Sequence, residues 1–253
     1  LQCGEETYVD DKTTPVEIFW QMLLDGVNIK TSLPSPDTFV QKFKAAKEAG
    51  DEVICILIAS KLSGTYQGAM LAKQIVDYDG IHVIDAGHAA ASVAEKMLVI
   101  AACRMRDQGC TAEEIARRLE QLRGSVRLIA CLDTLEYLAR GGRLPAAVAS
   151  IGTKLQLKPI IVFGENGEIQ VVKKCMGSKR AMRDMTEMVT ECGINPEYPV
   201  IPIFAQNDRN CQEYVASLKN AGCVGAMQAP QGIGATIGSY IGPGGYGIVF
   251  VEK

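Results

Sequence analysis

Apolar runs and helix-like repeats alternate along the first half of the chain. Residues 53–59 form a near-continuous aliphatic run, which is typical of a strand buried on both faces. A helical repeat follows from about Tyr66 to Val76, and residues 81–85 give a second strand pattern. Strand, helix and strand in this order predict a βαβ unit with parallel strands and a right-handed crossover.

Helix-boundary residues support further helices in this half. Ser35 followed by Pro36 predicts the start of a helix that ends at Gly50. Thr111, with Glu114 three residues later, predicts a capping box at the start of another helix. In a parallel α/β arrangement of this kind, we expect ligands at the carboxyl ends of the strands.

The second half of the chain has a different pattern. Residues 158–163 and 169–174 read as two strands joined by a turn that contains Asn166-Gly167, a strong hairpin signal. Further strands are predicted at 125–130, 200–205 and 247–251, and a helix at 145–155. A hairpin among helices predicts a mixed or antiparallel sheet.

These patterns together predict a two-domain α/β protein. We expect a parallel α/β N-terminal domain over residues 1–124, which carries an anion-binding corner. Residues 125–253 are expected to form a C-terminal α/β domain with a mixed or antiparallel sheet.

Composition excludes several functional classes. The formal net charge is −3, and no basic run interleaves with aromatic residues, so nothing favours nucleic acid. No apolar stretch reaches the roughly 18 residues of a membrane span. The chain has nine cysteines, an odd number without a C-x-x-C pair. We expect reduced thiols in a cytoplasmic protein, with no metal and no cofactor.

The corner between the first strand and its helix is the main candidate site. Ser60 ends the strand, and Ser63, Gly64 and Thr65 lead into the helix. Hydroxyl groups and the unpaired N–H groups of a helix N-terminus suit an anion. Plain helix capping by Ser63 or Thr65 is the alternative interpretation.

A second group of hydroxyls lies earlier in the chain. Thr31 and Ser32 precede Pro34 and Pro36, which force an extended path. This segment is either a plain turn or a second set of hydroxyls beside Ser60 and its neighbours at the carboxyl ends of the strands.

Two alternative functions remain, one enzymatic and one nucleotide-binding. A serine-dependent acyl hydrolase using Ser63 would need a G-x-S-x-G elbow or a histidine partner. The local sequence is not that elbow, and the histidines are His82, in a strand, and His88, in a loop. The glycines at 232–234 and 242–245 lack the strand and helix context of a nucleotide-binding loop, so a nucleotide site is only weakly indicated.

The second half is locally basic. A solvated surface is the default interpretation, and a patch that docks an acidic partner or phosphate is the sharper one. The basic residues are Arg140, Arg143, Lys173, Lys174, Lys179 and Arg180.

Several segments together resemble a known family. Residues 60–69, which read S-K-L-S-G-T-Y-Q-G-A, are followed in order by V-I-D at 83–85, L-E-Y-L…G-G-R at 135–143 and G-P-G at 242–244. With T-S-L-P-S at 31–35, they resemble the DegV family, bacterial fatty-acid-binding proteins that include the FakB subunits of fatty acid kinase. The first segment matches the S-x-L-S-G-T-Y-Q-x-A signature of that family.

The resemblance implies a non-catalytic carrier that buries one long-chain fatty acid between its two domains and presents the carboxylate to a separate fatty acid kinase. Thr31 and Ser63 fall where the family hydrogen-bonds the carboxylate. The full set of ligand residues that we predict is Thr31, Ser32, Ser60, Ser63, Gly64, Thr65 and Tyr240. We predict Arg143, Arg140 and Lys174 as partner-facing or phosphate-facing residues.

The chain departs from the family pattern at three places. Tyr240 stands where the family usually has a histidine, and tyrosine can donate a hydrogen bond but cannot carry a proton at neutral pH as imidazole can. Ala86 and Ala90 replace the usual serines. The opening strand of the family, with its T-D-S turn, does not precede Leu1, so the parallel sheet is expected to lack a strand.

Overall fold

The computed structural model describes residues 1–11, 14–144, 157–223 and 225–253. The chain forms two compact units, which are described separately below. The mixed-sheet unit contains Leu1–Ser32, Arg127–Phe163 and Ile169–Lys253, and the parallel unit contains Leu33–Val126 and Gly164–Glu168.

Helices and strands alternate along the chain, as expected for an α/β protein. The described helices are α1 (Val16–Leu24), α2 (Pro36–Ala49), α3 (Thr65–Val76), α4 (Ser92–Asp107), α5 (Ala112–Leu122), α6 (Glu136–Arg140), α7 (Ser178–Cys192), α8 (Arg209–Asn220) and α9 (Ala235–Ile241). The described strands are β1 (Gln2–Cys3), β2 (Glu6–Thr7), β3 (Ile29–Lys30), β4 (Val53–Leu57), β5 (Ile81–Asp85), β6 (Val126–Cys131), β7 (Leu157–Phe163), β8 (Ile169–Met176), β9 (Pro199–Phe204), β10 (Ala226–Met227), β11 (Gln231–Gly232) and β12 (Tyr246–Val251).

The parallel unit contains the predicted βαβ arrangement. Strands β4 and β5 pair in parallel, with Val53 opposite Ile81 and Leu57 opposite Asp85, and α3 connects them. Among the described residues this parallel sheet has two strands. Apolar side chains of α2 and α3, such as Phe43 and Ala69, form a core with the sheet.

Local sequence rules account for the helix boundaries of this unit. The Ser35 hydroxyl accepts a hydrogen bond from the Asp37 N–H at 3.3 Å, and Gly50 ends α2 in the left-handed conformation at φ 72°. The predicted capping box between Thr111 and Glu114 is present at the start of α5.

The mixed-sheet unit confirms the second predicted sheet. Its strands follow the order β10-β9-β12-β6-β7-β8, and β11 also pairs with β9. Strand β9 is parallel to β10 and β11 but antiparallel to β12, and β7 is antiparallel to both β6 and β8. The turn of the β7–β8 hairpin contains Gly167 at φ 80°.

Three features differ from the sequence-based expectations. Strands β1, β2 and β3 form a small antiparallel sheet that we did not predict. Helix α9 was not predicted either. The first 32 residues group with the second half of the chain, because α1 packs against α9.

The compact units therefore differ from the contiguous division 1–124 and 125–253, which stays a prediction about folding domains. The chain changes unit at Val126 and Arg127, and the hairpin tip, Gly164–Glu168, groups with the parallel unit. The helix predicted at 145–155 lies outside the described residues.

The carboxyl group of Glu95 on α4 is half-buried, and this burial disfavours its charged form. Burial raises the pKa of Glu95 from an ordinary value of 4.5 to about 7. On β4, burial and then the charge of Glu95 raise the pKa of the Cys55 thiol to about 11. Ionisation of Glu95 therefore lowers the stability of the folded protein.

We predict that Glu95→Gln changes how stability depends on pH. The folded protein holds the Glu95 proton more tightly than the unfolded chain does, so the wild-type free energy of unfolding should fall as the pH rises from 4.5 to about 7. At pH 8 the variant should be more stable than wild type by about 1–3 kcal/mol, and near pH 4.5 the two should be equal.

Urea denaturation at several pH values measures this difference. Glu48→Gln, at an exposed position of α2, is the matched control and should follow wild type. A stability gain for Glu95→Gln that is the same at pH 5 and pH 8 would contradict the assignment.

Candidate functional site

Asp85 ties together the loops that follow the two parallel strands. Its Oδ1 atom accepts a hydrogen bond from the Ser60 N–H at 3.1 Å and one from the Gly87 N–H at 3.0 Å. Ser60 lies after β4, and Gly87 lies after β5. The carboxyl ends of parallel strands meet at one edge of a sheet, so this carboxylate fixes the edge where ligands are expected.

Backbone contacts and an arginine support the same edge. The Ala59 N–H donates to the Ala90 carbonyl at 2.7 Å. The Arg123 guanidinium donates to the Asp85 carbonyl at 2.8 Å and forms an ion pair with Glu120 at 2.7 Å. Burial, followed by the charge of Asp85, raises the pKa of the Tyr66 hydroxyl. Several contacts therefore hold the loops that follow β4 and β5 in place.

Two hydroxyl groups stand at the start of α3. The Ser63 Oγ atom lies 2.8 Å from the Thr65 Oγ1 atom and also accepts the Thr65 N–H at 3.3 Å. Gly64 is the N-cap residue of α3 and has no side chain to offer. Thr65 is buried and Ser63 is half-buried. Ser63 stands one residue before the N-cap, and its hydroxyl accepts the first N–H of α3 in place of an N-cap side chain.

This arrangement leaves a donor for an anion. One hydroxyl donates to the other, whichever of the two is the donor, and so one of the two hydroxyl protons stays available. The N-terminus of α3 adds N–H groups and the positive end of the helix dipole. Capping and anion binding are therefore compatible at this corner.

A second hydroxyl pair lies in the mixed-sheet unit. Thr31 Oγ1, just after β3, and the Tyr240 hydroxyl, on α9, share a hydrogen bond. The ring of Tyr240 packs on Gly141, where an added Cβ atom would lie 2.4 Å from the ring. The guanidinium carbon of Arg143 lies 5.1 Å from the centre of the same ring, a cation–π distance. Ser32 is exposed.

The predicted partner-facing residues are all exposed in the mixed-sheet unit. Arg143 donates to the Gly141 carbonyl at 2.9 Å. Arg140 pairs with Glu136 at 2.7 Å, and its guanidinium carbon lies 5.6 Å from the centre of the Tyr137 ring. Lys174 lies on β8, at one end of the strand order.

The structure thus places the predicted residues in two sets. The parallel unit contains Ser60, Ser63, Gly64 and Thr65, and the mixed-sheet unit contains Thr31, Ser32, Tyr240, Arg140, Arg143 and Lys174. Thr31 groups with the mixed-sheet unit, and the expectation that it lies beside the ends of the parallel strands stays a prediction. Their roles as ligand or partner residues stay predictions.

Hydrolysis at Ser63 has no geometric support. In the described part of the chain, the hydrogen bonds of the Ser63 hydroxyl go to Thr65, which is not a general base. The Nδ1 atom of His88 lies 3.1 Å from the Gly124 carbonyl. The same part of the chain contains no cluster of three metal-ligating side chains and no helix long and apolar enough to cross a membrane.

Sequence reasoning missed the supporting residues of both sets. Asp85 was noted only as part of a family segment, although a carboxylate directly after a predicted strand could have indicated its role. The contacts of Arg123 with Asp85 and of Gly141 with Tyr240 have no local sequence signal, because these partners lie far away in the chain.

Comparisons with known proteins give a consistent family. Residues 1–253 match the family model described as an uncharacterised protein of the DegV family. A DegV domain-containing protein from Caldanaerobacter subterraneus subsp. tengcongensis is 34% identical over 249 residues, which cover 98% of this chain and 88% of that protein. A Thermotoga maritima protein named fatty acid-binding protein is 30% identical over 255 residues, covering 96% of this chain and 86% of that protein.

A solved structure is also similar over the whole chain. It is described as fatty acid binding of a DegV family protein from Thermus thermophilus. The TM-score is 0.87 at 28% identity, with 100% of this chain and 89% of that chain covered.

We predict that Asp85→Ala loosens the corner. The N–H groups of Ser60 and Gly87 would lose their acceptor, which should lower the free energy of unfolding by about 1–3 kcal/mol. Hydrogen exchange should speed up at the Ser60 and Gly87 amides in particular. Asp85→Asn keeps an acceptor oxygen and should show a smaller effect. Unchanged exchange at both amides in Asp85→Ala would contradict the role given to this carboxylate.

Proposed function

Because the chain belongs to the DegV family, we propose that it binds one long-chain fatty acid and catalyses no reaction itself. The hydroxyl pair of Ser63 and Thr65 at the start of α3 carries this proposal. The pair offers a donor beside a helix N-terminus, just after strand β4. Asp85 holds the loop that leads to it, by accepting the Ser60 N–H.

The head group of the ligand requires such a corner. A carboxylate taken out of water costs several kcal/mol unless hydrogen-bond donors replace the water. The Ser63–Thr65 pair supplies a hydroxyl proton, and the first turn of α3 supplies N–H groups. Ser60, which precedes the pair, and Gly64, which lies between its two members, complete the proposed set in this unit.

The hydroxyl pair of Thr31 and Tyr240 also has two protons, of which its own hydrogen bond uses one. One proton joins the two oxygen atoms and the other stays available for a ligand. We therefore keep Thr31, Tyr240 and the neighbouring Ser32 as proposed ligand residues. The phenol O–H of Tyr240 is a hydrogen-bond donor, which suits a bound carboxylate.

The acyl tail should dominate the affinity. Burial of each methylene contributes roughly 0.8 kcal/mol, so a long chain contributes on the order of 10 kcal/mol before ordering costs. The polar corner then sets the orientation of the ligand. The names of the Thermotoga and Thermus relatives, both described by fatty acid binding, support this assignment.

Mass spectrometry of an organic extract of the purified protein tests the proposal directly. We expect a co-purifying long-chain acid, or saturable binding of added palmitate or oleate. Failure of both would refute the carrier function. Release of free acid from an acyl ester, lost in Ser63→Ala, would instead support the hydrolase alternative.

We predict that Ser63→Ala weakens fatty acid binding without abolishing it. Loss of a hydrogen bond to a charged group costs about 1.5–3 kcal/mol, which is roughly 10- to 150-fold in Kd for palmitate. Ser35→Ala removes the N-cap hydroxyl of α2 and is the matched control, with Kd unchanged. Equal losses in Ser63→Ala and Ser35→Ala would mean that the effect is only on stability.

We further propose that the protein acts in the cytoplasm and presents the carboxylate to a separate fatty acid kinase. The exposed side chains of Arg143, Arg140 and Lys174 suit an acidic or phosphate-bearing partner. All nine cysteines are free thiols, as expected in a reducing compartment.

Lys174→Ala tests the partner-facing surface. We expect binding to the fatty acid kinase of the source organism to weaken about three- to tenfold, more at low salt than at high salt. Arg106→Ala is the control, because Arg106 is exposed and paired with Asp107 in the parallel unit. Equal binding by wild type and Lys174→Ala would remove Lys174 from the proposed surface.

A further inference from the structure

The helix that carries Tyr240 depends on the rest of the chain for its position. Helix α9 has 7 residues, fewer than an isolated helix needs to be stable in water. Its N-cap residue is Gly234, which makes no side-chain capping hydrogen bond. The first turn of α9 therefore needs an acceptor from elsewhere.

Asp10 supplies that acceptor. Its Oδ2 atom accepts the backbone N–H of Thr236 at 2.7 Å and the hydroxyl of Thr236 at 2.5 Å. The carboxylate thus caps α9 from a position 226 residues away in the chain. Thr236 and Tyr240 are four residues apart, so they lie on the same face of the helix.

Three other residues of the N-terminal segment, residues 1–32, contact the rest of α9. Helix α1 packs so closely that a Cβ atom on Gly238 would lie 2.7 Å from the Trp20 ring and 2.9 Å from the Phe19 ring. Thr31 then meets the Tyr240 hydroxyl. The N-terminal segment therefore contacts α9 at its beginning, its middle and its end.

We propose that Asp10 is a positioning residue for Tyr240. By capping α9, Asp10 keeps the helix in the position where the Tyr240 hydroxyl and Thr31 Oγ1 share a hydrogen bond. The effect on ligand rests on the proposed function, in which Tyr240 donates to the fatty acid carboxylate. The effect on the Tyr240 side chain itself does not depend on that function.

The first test needs no ligand. In protein labelled with 3-fluorotyrosine, the fluorine resonance of Tyr240 is assigned from its loss in Tyr240→Phe. We expect this resonance to shift or broaden in Asp10→Ala. Thr111→Ala removes the N-cap side chain of α5 in the parallel unit and should leave it unchanged. An unchanged Tyr240 resonance in folded Asp10→Ala would overturn the proposal.

The second test measures palmitate binding in a double-mutant cycle. Asp10→Ala should raise Kd about three- to tenfold in the wild-type background and less than twofold in the Tyr240→Phe background. An equal rise in both backgrounds shows that Asp10 does not act through Tyr240 and overturns the proposal. If wild type binds neither palmitate nor oleate, the proposed function fails, while the fluorine measurement still decides the role of Asp10.

Milder variants cover the case in which Asp10→Ala does not fold. Asp10→Asn keeps one acceptor oxygen without the charge, and Thr236→Val removes only the hydroxyl donor. Each variant should shift the Tyr240 resonance from its wild-type position, and the two shifts should have the same direction. Two folded variants with the wild-type resonance would overturn the proposal.

Discussion

The two hydrogen bonds accepted by the Asp85 carboxylate are the constraint on which the candidate site depends. Parallel strands deliver their following loops to one edge of a sheet, but nothing in the strand pairing fixes the path of those loops. Asp85 holds the N–H groups of Ser60 and Gly87 on a single oxygen, so the loops after β4 and β5 move together. The position of Ser63, three residues after Ser60, follows from that connection.

The Ser63–Thr65 and Thr31–Tyr240 hydroxyl pairs have the same hydrogen-bonding arrangement. In each pair one hydroxyl proton joins the two oxygen atoms and the second proton stays available, so each pair is a preorganised donor and not a base. A carboxylate is an acceptor throughout the neutral pH range, and donors held in place before binding lose little entropy when it arrives. Under the proposed function, Tyr240 supplies the hydrogen-bond donor that a bound carboxylate requires.

The sequence predicts the fold best where the rule is local. Ser35-Pro36 and Gly50 delimit α2, and Asn166-Gly167 forms the expected hairpin turn, because each depends on backbone conformation within a few residues. Strands β1 to β3 have two residues each, too few for any periodic pattern. Helix α9 was missed because its glycines oppose a helix locally, while contacts from Asp10 and α1 stabilise it from far away.

The residues of the candidate site divide in the same way, into those that the local sequence identifies and those that it does not. A motif can identify Ser63 and Thr65, since they lie together in the chain, but it cannot identify the distant residues that hold them in place. Tyr240 illustrates the difference: its ring occupies the space that a side chain on residue 141 would need, at 2.4 Å from the added Cβ atom. The tyrosine at 240 and the glycine at 141 are therefore one feature of the fold, although 98 residues separate them in the chain. A change at either position has to be judged by its effect on the other.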